Sequence, residues 1–314
     1  LKWRRYILND NTKIRETIKN NISTNKHLFD KAMPIFFSVM ASISIITTIG
    51  ILLTLVIDAS KFFAAVPLSE ILSTRLAPLN ANPSFGMLPL ITGTIFTTII
   101  AILVAAPIGL SAAIYLSQFA TDKVRRILKP IIEVLAGIPT IVYGFFAYSF
   151  VTPLLMRLIP GLGAKNVLSA GIVMGVMIIP LITSVSEDAM NSVPTIIKEG
   201  AYGLGSTKLE VALKIVIPGA ISGIVASIVL GVSRAIGETM IVTIASGSSK
   251  NFTLDITQSM QTMTGYIVEF TSGDAASGTT GYYSLYAVGL LLFIFTLGMN
   301  MIAQYIARKY REEY

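Results

Sequence analysis

Two ionisable side chains, Arg234 and Glu238, stand inside the apolar run GVSRAIGETMIVTIASG. On a helix a spacing of four places them on one face. A charge at membrane depth costs about 2.5–3.5 kcal/mol on insertion scales, so such residues face a bundle interior or a water-filled path. Two chemistries suit the pair. A self-neutralising Arg–Glu contact would fix helix packing and nothing more. Alternatively, a guanidinium presents paired donors that match a tetrahedral oxyanion. A neighbouring carboxylate would then keep the site weak, by competing for those donors or by accepting a hydrogen bond from a protonated oxyanion. Other chemistry is scarce: Cys is absent and the single histidine, His27, lies in a polar N-terminal stretch. Disulfides and thiolate metal sites are thereby excluded, and a histidine-based triad or zinc site is not expected.

A second constellation is positional. Residues 198–218, KEGAYGLGSTKLEVALKIVIP, interrupt two apolar blocks with Glu199, Lys208, Glu210 and Lys214. The stretch has to face water, yet it is too short to form a domain. Its landmarks are Glu199, Gly200, Ala201, Gly205, Ile215 and Pro218. As an ordinary connection, Gly205 would stop one helix and Pro218 would open the next.

The elements that must hold both groups follow from composition. With 53% hydrophobic and 13% charged residues among 314, and a mean hydropathy of +0.72, the chain has the profile of a polytopic membrane protein. Its net charge of +7 does not describe a nucleic-acid surface, because the basic residues sit at the ends of apolar segments without interleaved aromatics. Spans are expected at 34–57, 87–118, 130–156, 167–186, 214–245 and 284–307. They divide the chain into a basic N-terminal region (1–33), a six-helix domain (34–307) with a polar inner loop at 187–213, and a C-terminal tail (308–314). Trp3 and Tyr6 beside Arg4 and Arg5 would suit a membrane surface, although a solvated tail explains them as well. No cleaved signal peptide is expected, since the first apolar block is long enough to remain as a helix. Residues 92–98, with Thr92, Gly93, Thr94, Thr97 and Thr98, suit close helix packing, in preference to a polar lining. Gly137, Pro139 and Gly144 are expected in one bent, tightly packed helix, and residues 246–283 in a polar outer loop.

Charge orients the whole. With both termini inside, and Lys214 at the very start of its span counted with the inner loop, the inner segments carry eight, four, three and three Lys or Arg, eighteen against five outside. That bias puts residues 187–213 in the cytoplasm without recourse to any motif. No G-x-x-x-x-G-K-[ST] loop occurs, so nucleotide chemistry is not expected of this chain.

The spacing Glu199, Ala201, Gly205, Ile215, Pro218 resembles the EAA loop of ATP-binding-cassette importer permeases, with Gly200 in place of the first alanine. The chain from about residue 34 onward is similar to phosphate-specific ABC permeases of the PstC type, notably in FGMLPLITGTIFTT, LAGIPTIVYGFF, SRAIGETMIVTIASG and YSLYAVGLLLF. The resemblance implies an all-α type I importer permease with six transmembrane helices in a prokaryotic inner membrane. It implies a PstA-type second permease, two PstB-type ATPases that use ATP and Mg, and a PstS-type binding protein. It further implies that Arg234 and Glu238 act in phosphate passage by alternating access, and that the 199–205 segment docks on an ATPase. The chain itself would bind no cofactor. Two alternatives stay open at this point: a permease for sulfate, molybdate or another oxyanion, and an ion-coupled secondary phosphate transporter. The latter predicts an inverted repeat with two broken helices, which the sequence does not display.

Overall fold

The computed structural model describes residues 26–274 and 276–309. Most of the expected basic region at 1–33, including Trp3 and Tyr6, lies outside the described residues, as does the tail beyond residue 309. The chain divides into two units, one ending at Leu55 and the other running from Val56. Helix α1 (Lys26–Ala65) contributes to both. In the first unit it exposes Ile35, Phe37, Ile46 and Leu53 among many apolar side chains. A helix apolar on all sides is a membrane span.

In the second unit, Ala59, Phe62 and Val66 begin the packing. They meet α2 (Leu68–Ile71) and a small antiparallel hairpin of β1 (Leu76–Ala77) and β2 (Ser84–Phe85), with Leu76 opposite Phe85. Then follow α3 (Leu88–Phe119), α4 (Asp122–Gly137), α5 (Thr140–Leu158) and α6 (Val167–Asn191). Next come α7 (Thr195–Gly203), α8 (Lys208–Gly219), α9 (Ile221–Ile236), α10 (Met263–Glu269) and α11 (Thr280–Lys309). Among the described residues, five helices (α1, α3, α5, α6 and α11) are long and apolar enough to cross a membrane; α8 and α9, bent by 71° at their junction, make a sixth when the pair is counted as one span.

The central packing is between α3 and α6, and small residues permit it. A Cβ on Gly171 would lie 2.7 Å from the side chain of Ile100, and one on Gly175 2.8 Å from the Ala101 carbonyl. The backbones can approach this closely only because those positions carry no side chain. Pro180 lies buried within α6 without ending it. In α3 the threonine hydroxyls turn back on their own helix, Thr97 to Gly93 O at 2.7 Å and Thr98 to Thr94 O at 2.7 Å. Gly93 abuts the backbone of Gln261. Close packing therefore describes this stretch.

Four expectations need correction. The third span does not start at residue 130: α4 ends at Gly137, Ile138 is extended (φ −70°, ψ 128°), and the span begins at Thr140. Pro139 explains the break, since it lacks an amide and forces the preceding residue out of the helical region. Gly137 consequently has nothing packed on it, whereas Gly144 does. The fifth span is not one helix from 214 to 245, because it bends at Ala220 and stops at Ile236. Residues 246–283 are not simply an outer loop, since Met260, Gln261, Met263 and Tyr266 are buried. Finally, α6 continues to Asn191, which leaves Glu187 with no exposed surface instead of in a water-facing loop.

Candidate functional site: a broken helix with two charges

Arg234 stands in the last turn of α9, and Gly237 caps that helix. A cation there meets the negative end of the helix dipole. The helix ends before Glu238, so the expected i, i+4 face does not form. Among the described residues Arg234 has no ion pair or hydrogen bond through its side chain, and it is exposed. Its neighbour Ser233 is held instead, donating to Asn300 Oδ1 at 2.7 Å and tying α9 to α11.

Glu238 is 8% exposed and occupied by backbone. Its Oε1 accepts from the amides of Met240 at 3.0 Å and Ile241 at 3.3 Å, which open the next helical turns. A carboxylate is favoured at such unsatisfied amides. The break therefore satisfies each charge with its own stretch of backbone, and the guanidinium stays available. Among the described residues no ion pair joins Arg234 to Glu238.

The segment that re-enters the bundle completes the surroundings. Thr264 Oγ1 donates to the Glu238 carbonyl at 2.7 Å and lies 3.1 Å from Thr262 Oγ1. The amide of Met263 donates to Thr94 Oγ1 at 3.0 Å. Further out, Lys250 Nζ is 2.7 Å from Glu269 Oε1, and the Gln261 amide donates to the other carboxylate oxygen. None of Gln261, Thr262, Thr264 or Glu269 was selected from the sequence as part of a site. A signal was present: Met260, Met263, Tyr266 and Phe270 recur at helical spacing inside the polar stretch.

The landmarks of the 198–218 stretch gather around one buried cluster. Glu199 and Gly200 are exposed on α7, while Ala201 is buried with Val193, Val211, Val216 and Ile224. Gly205 has φ +89°, a left-handed stop that an L side chain adopts only with strain. Ile215 packs against the same cluster, and Pro218 is in the first positions of a short helical turn. Thr207 and Glu210 form a reciprocal cap at the start of α8, with the Thr207 amide donating to Glu210 Oε2 at 3.0 Å. Lys198 donates to Met190 O at 3.3 Å, and burial pushes its pKa down. Ile196 and Leu204 are 76% and 90% exposed, an apolar pair offered outward from a polar loop.

Comparison with known proteins agrees with this architecture. The family model for the binding-protein-dependent transport system inner membrane component matches residues 105–312. The phosphate transport system permease protein PstC of Mesorhizobium japonicum is 36% identical over 242 residues, covering 71% of this chain and 73% of its own. PstC of Haemophilus influenzae is 32% identical over 283 residues, 84% of this chain and 88% of its own. The probable ABC transporter permease protein YqgH of Bacillus subtilis is 31% identical, covering 77% and 78%. Among solved structures, a chain of a bacterial alginate ABC transporter aligns with TM-score 0.63 at 14% identity, covering 90% of this chain and 97% of its own. A chain of the inward-facing MetNI methionine ABC transporter aligns with TM-score 0.58 at 19% identity, covering 72% and 98%. With an importer-permease fold, five helices of membrane-spanning length among the described residues and a matching family model over most of its length, this chain belongs to the binding-protein-dependent transport system inner membrane components and is a multi-pass permease subunit.

Proposed function

We propose that the chain is the PstC-type permease of an ATP-driven phosphate importer, working beside a PstA-type permease, two PstB-type ATPases and a PstS-type binding protein. The reading is carried by Arg234, an exposed guanidinium inside an apolar run with no partner among the described residues. It offers a forked donor set to a tetrahedral oxyanion. The carboxylate of Glu238, held by two amides, lies four residues further on and can accept from the proton of monohydrogen phosphate. Relatives at 32–36% identity bearing the name of phosphate transport permeases support the choice of substrate.

In this scheme both termini and α7 face the cytoplasm. The ATPases bind ATP and Mg, and their closure moves α7 through Glu199, Gly200, Ala201 and Gly205. The bundle opens outward, phosphate passes Arg234, and hydrolysis returns it to the inward-open state. The permease binds no cofactor of its own.

The deciding experiment measures Arg234→Gln in the reconstituted complex, for phosphate uptake and for binding-protein-stimulated ATP hydrolysis. Uptake is expected to fall by at least about tenfold with assembly intact, the loss of one charge-assisted contact. Normal uptake would remove Arg234 from the pathway. Competition by sulfate as strong as that by phosphate would replace the substrate.

A further inference from the structure

The covalent route from the coupling loop to Glu238 runs through α8 and α9 and contains the 71° bend at Ala220. A hinge transmits a push poorly. Another route, made of side chains, bypasses it.

Glu187, near the end of α6, is wholly buried, 2.5 Å from Arg125 Nη2 and 3.2 Å from Lys129 Nζ. Both cations belong to α4. A buried carboxylate separated from its partners is left uncompensated, so α4 must follow α6 when α6 moves. The Lys198–Met190 contact and a three-residue connection tie α6 to α7 on its other side. Between α4 and α5 lies the break at Ile138 and Pro139, which would be a second hinge if left alone. It is braced: Tyr143 Oη donates to the Leu135 carbonyl at 2.8 Å, from α5 back to the last turn of α4. One residue later, α5 lies flush on the segment after Glu238. A Cβ on Gly144 would stand 3.1 Å from Met240 O, 3.2 Å from Ile241 Cα and 3.0 Å from Ile244 Cδ1. Met240 and Ile241 supply the amides that hold the Glu238 carboxylate.

We propose that Glu187, Tyr143 and Gly144 are positioning residues that carry displacement of the coupling loop to the Glu238 carboxylate, by way of α4 and α5. Close-packed contacts of this kind shift as blocks and do not deform gradually. The inference rests on the ATP-driven reading above, and it adds where the coupling travels.

The test uses the full complex in proteoliposomes, with inorganic phosphate uptake and ATP hydrolysis measured on the same vesicles. Tyr143→Phe removes one hydroxyl and leaves the ring. It is expected to keep assembly and stimulated hydrolysis within about twofold, while phosphate moved per ATP falls about fivefold or more, the lower end of ordinary coupling factors. Glu187→Gln is expected to lower the same ratio, and Glu187→Asp to restore part of it. Loss of mere structural integrity would reduce uptake and hydrolysis together and leave the ratio unchanged. A wild-type ratio in Tyr143→Phe overturns the proposal, as does a parallel fall of both activities. Should Glu187→Gln fail to assemble, Tyr143→Phe and Gly144→Ala decide by the same ratio. Absence of any ATP-dependent phosphate uptake by the unaltered complex would instead overturn the proposed function.

Discussion

Arg234 and Glu238 show how a helix end separates two charges that a continuous helix would bring together. With α9 stopped at Ile236, the cation has the helix carboxyl end and the anion has two amides. Glu238→Ala would leave those amides without an acceptor and is expected to destabilise the permease by about 1–2 kcal/mol, seen as a lower unfolding temperature in detergent. Glu238→Gln keeps an acceptor oxygen, so it should unfold near the wild-type temperature while still impairing phosphate uptake. Equal destabilisation by both variants would show that charge, not capping, holds the turn. Arg234→Lys preserves charge but not the planar fork, and uptake is expected to remain well below wild type. At this scale the residues were legible in the sequence, because charges in an apolar run are conspicuous. Their relation was not, since a helix terminus at Gly237 leaves no mark in hydropathy.

Among elements, the contacts that set α3 against α6 are intolerant of bulk. Gly175→Leu would force side-chain atoms into the Ala101 carbonyl and Val104, each 2.8 Å from the first added carbon. A loss of at least about 1–3 kcal/mol is expected, with poor accumulation in the membrane. Between α7 and α8, Gly205→Ala is expected to cost about 1–2 kcal/mol of left-handed strain. Its readout is hydrogen exchange at α7, which should quicken locally while α6 stays protected.

The Thr207–Glu210 cap closes the first turn of α8 from both sides. Glu210→Ala removes one half of it, and faster hydrogen exchange in that turn is expected. The spans themselves could be read from apolar length alone. The breaks at Ile138 and Ala220 could not, because each rests on one proline or a few dihedral angles within an otherwise favourable run.

The second unit holds three buried clusters. One gathers the end of α1 with α10 and α11, a central one lies where α3, α5 and α6 meet, and a third lies beneath α7. The re-entrant segment belongs to the first and is fastened by the half-buried Lys250–Glu269 pair. Lys250→Glu would oppose two carboxylates and is expected to destabilise by about 1–3 kcal/mol. The exchanged pair Lys250→Glu with Glu269→Lys should recover most of that loss in a double-variant cycle; simple additivity would show that the pair fastens nothing. The helices of spanning length were legible because bilayer thickness imposes long apolar runs. The re-entrant segment was hidden, because a polar stretch buried by its neighbours has the same composition as one in water.

The exposed guanidinium at the end of α9, without a partner among the described residues, also has an electrical consequence. In the proposed importer, monohydrogen phosphate carries two negative charges toward an interior that is itself negative. Each charge moved across the full field is opposed by about 2.3 kcal/mol per 100 mV. A fixed cation part-way along lowers the electrostatic cost of the passage without being consumed in it. Arg234→Gln should therefore do more than slow uptake: the remaining flux should depend more steeply on membrane voltage, measurable with an imposed potassium diffusion potential.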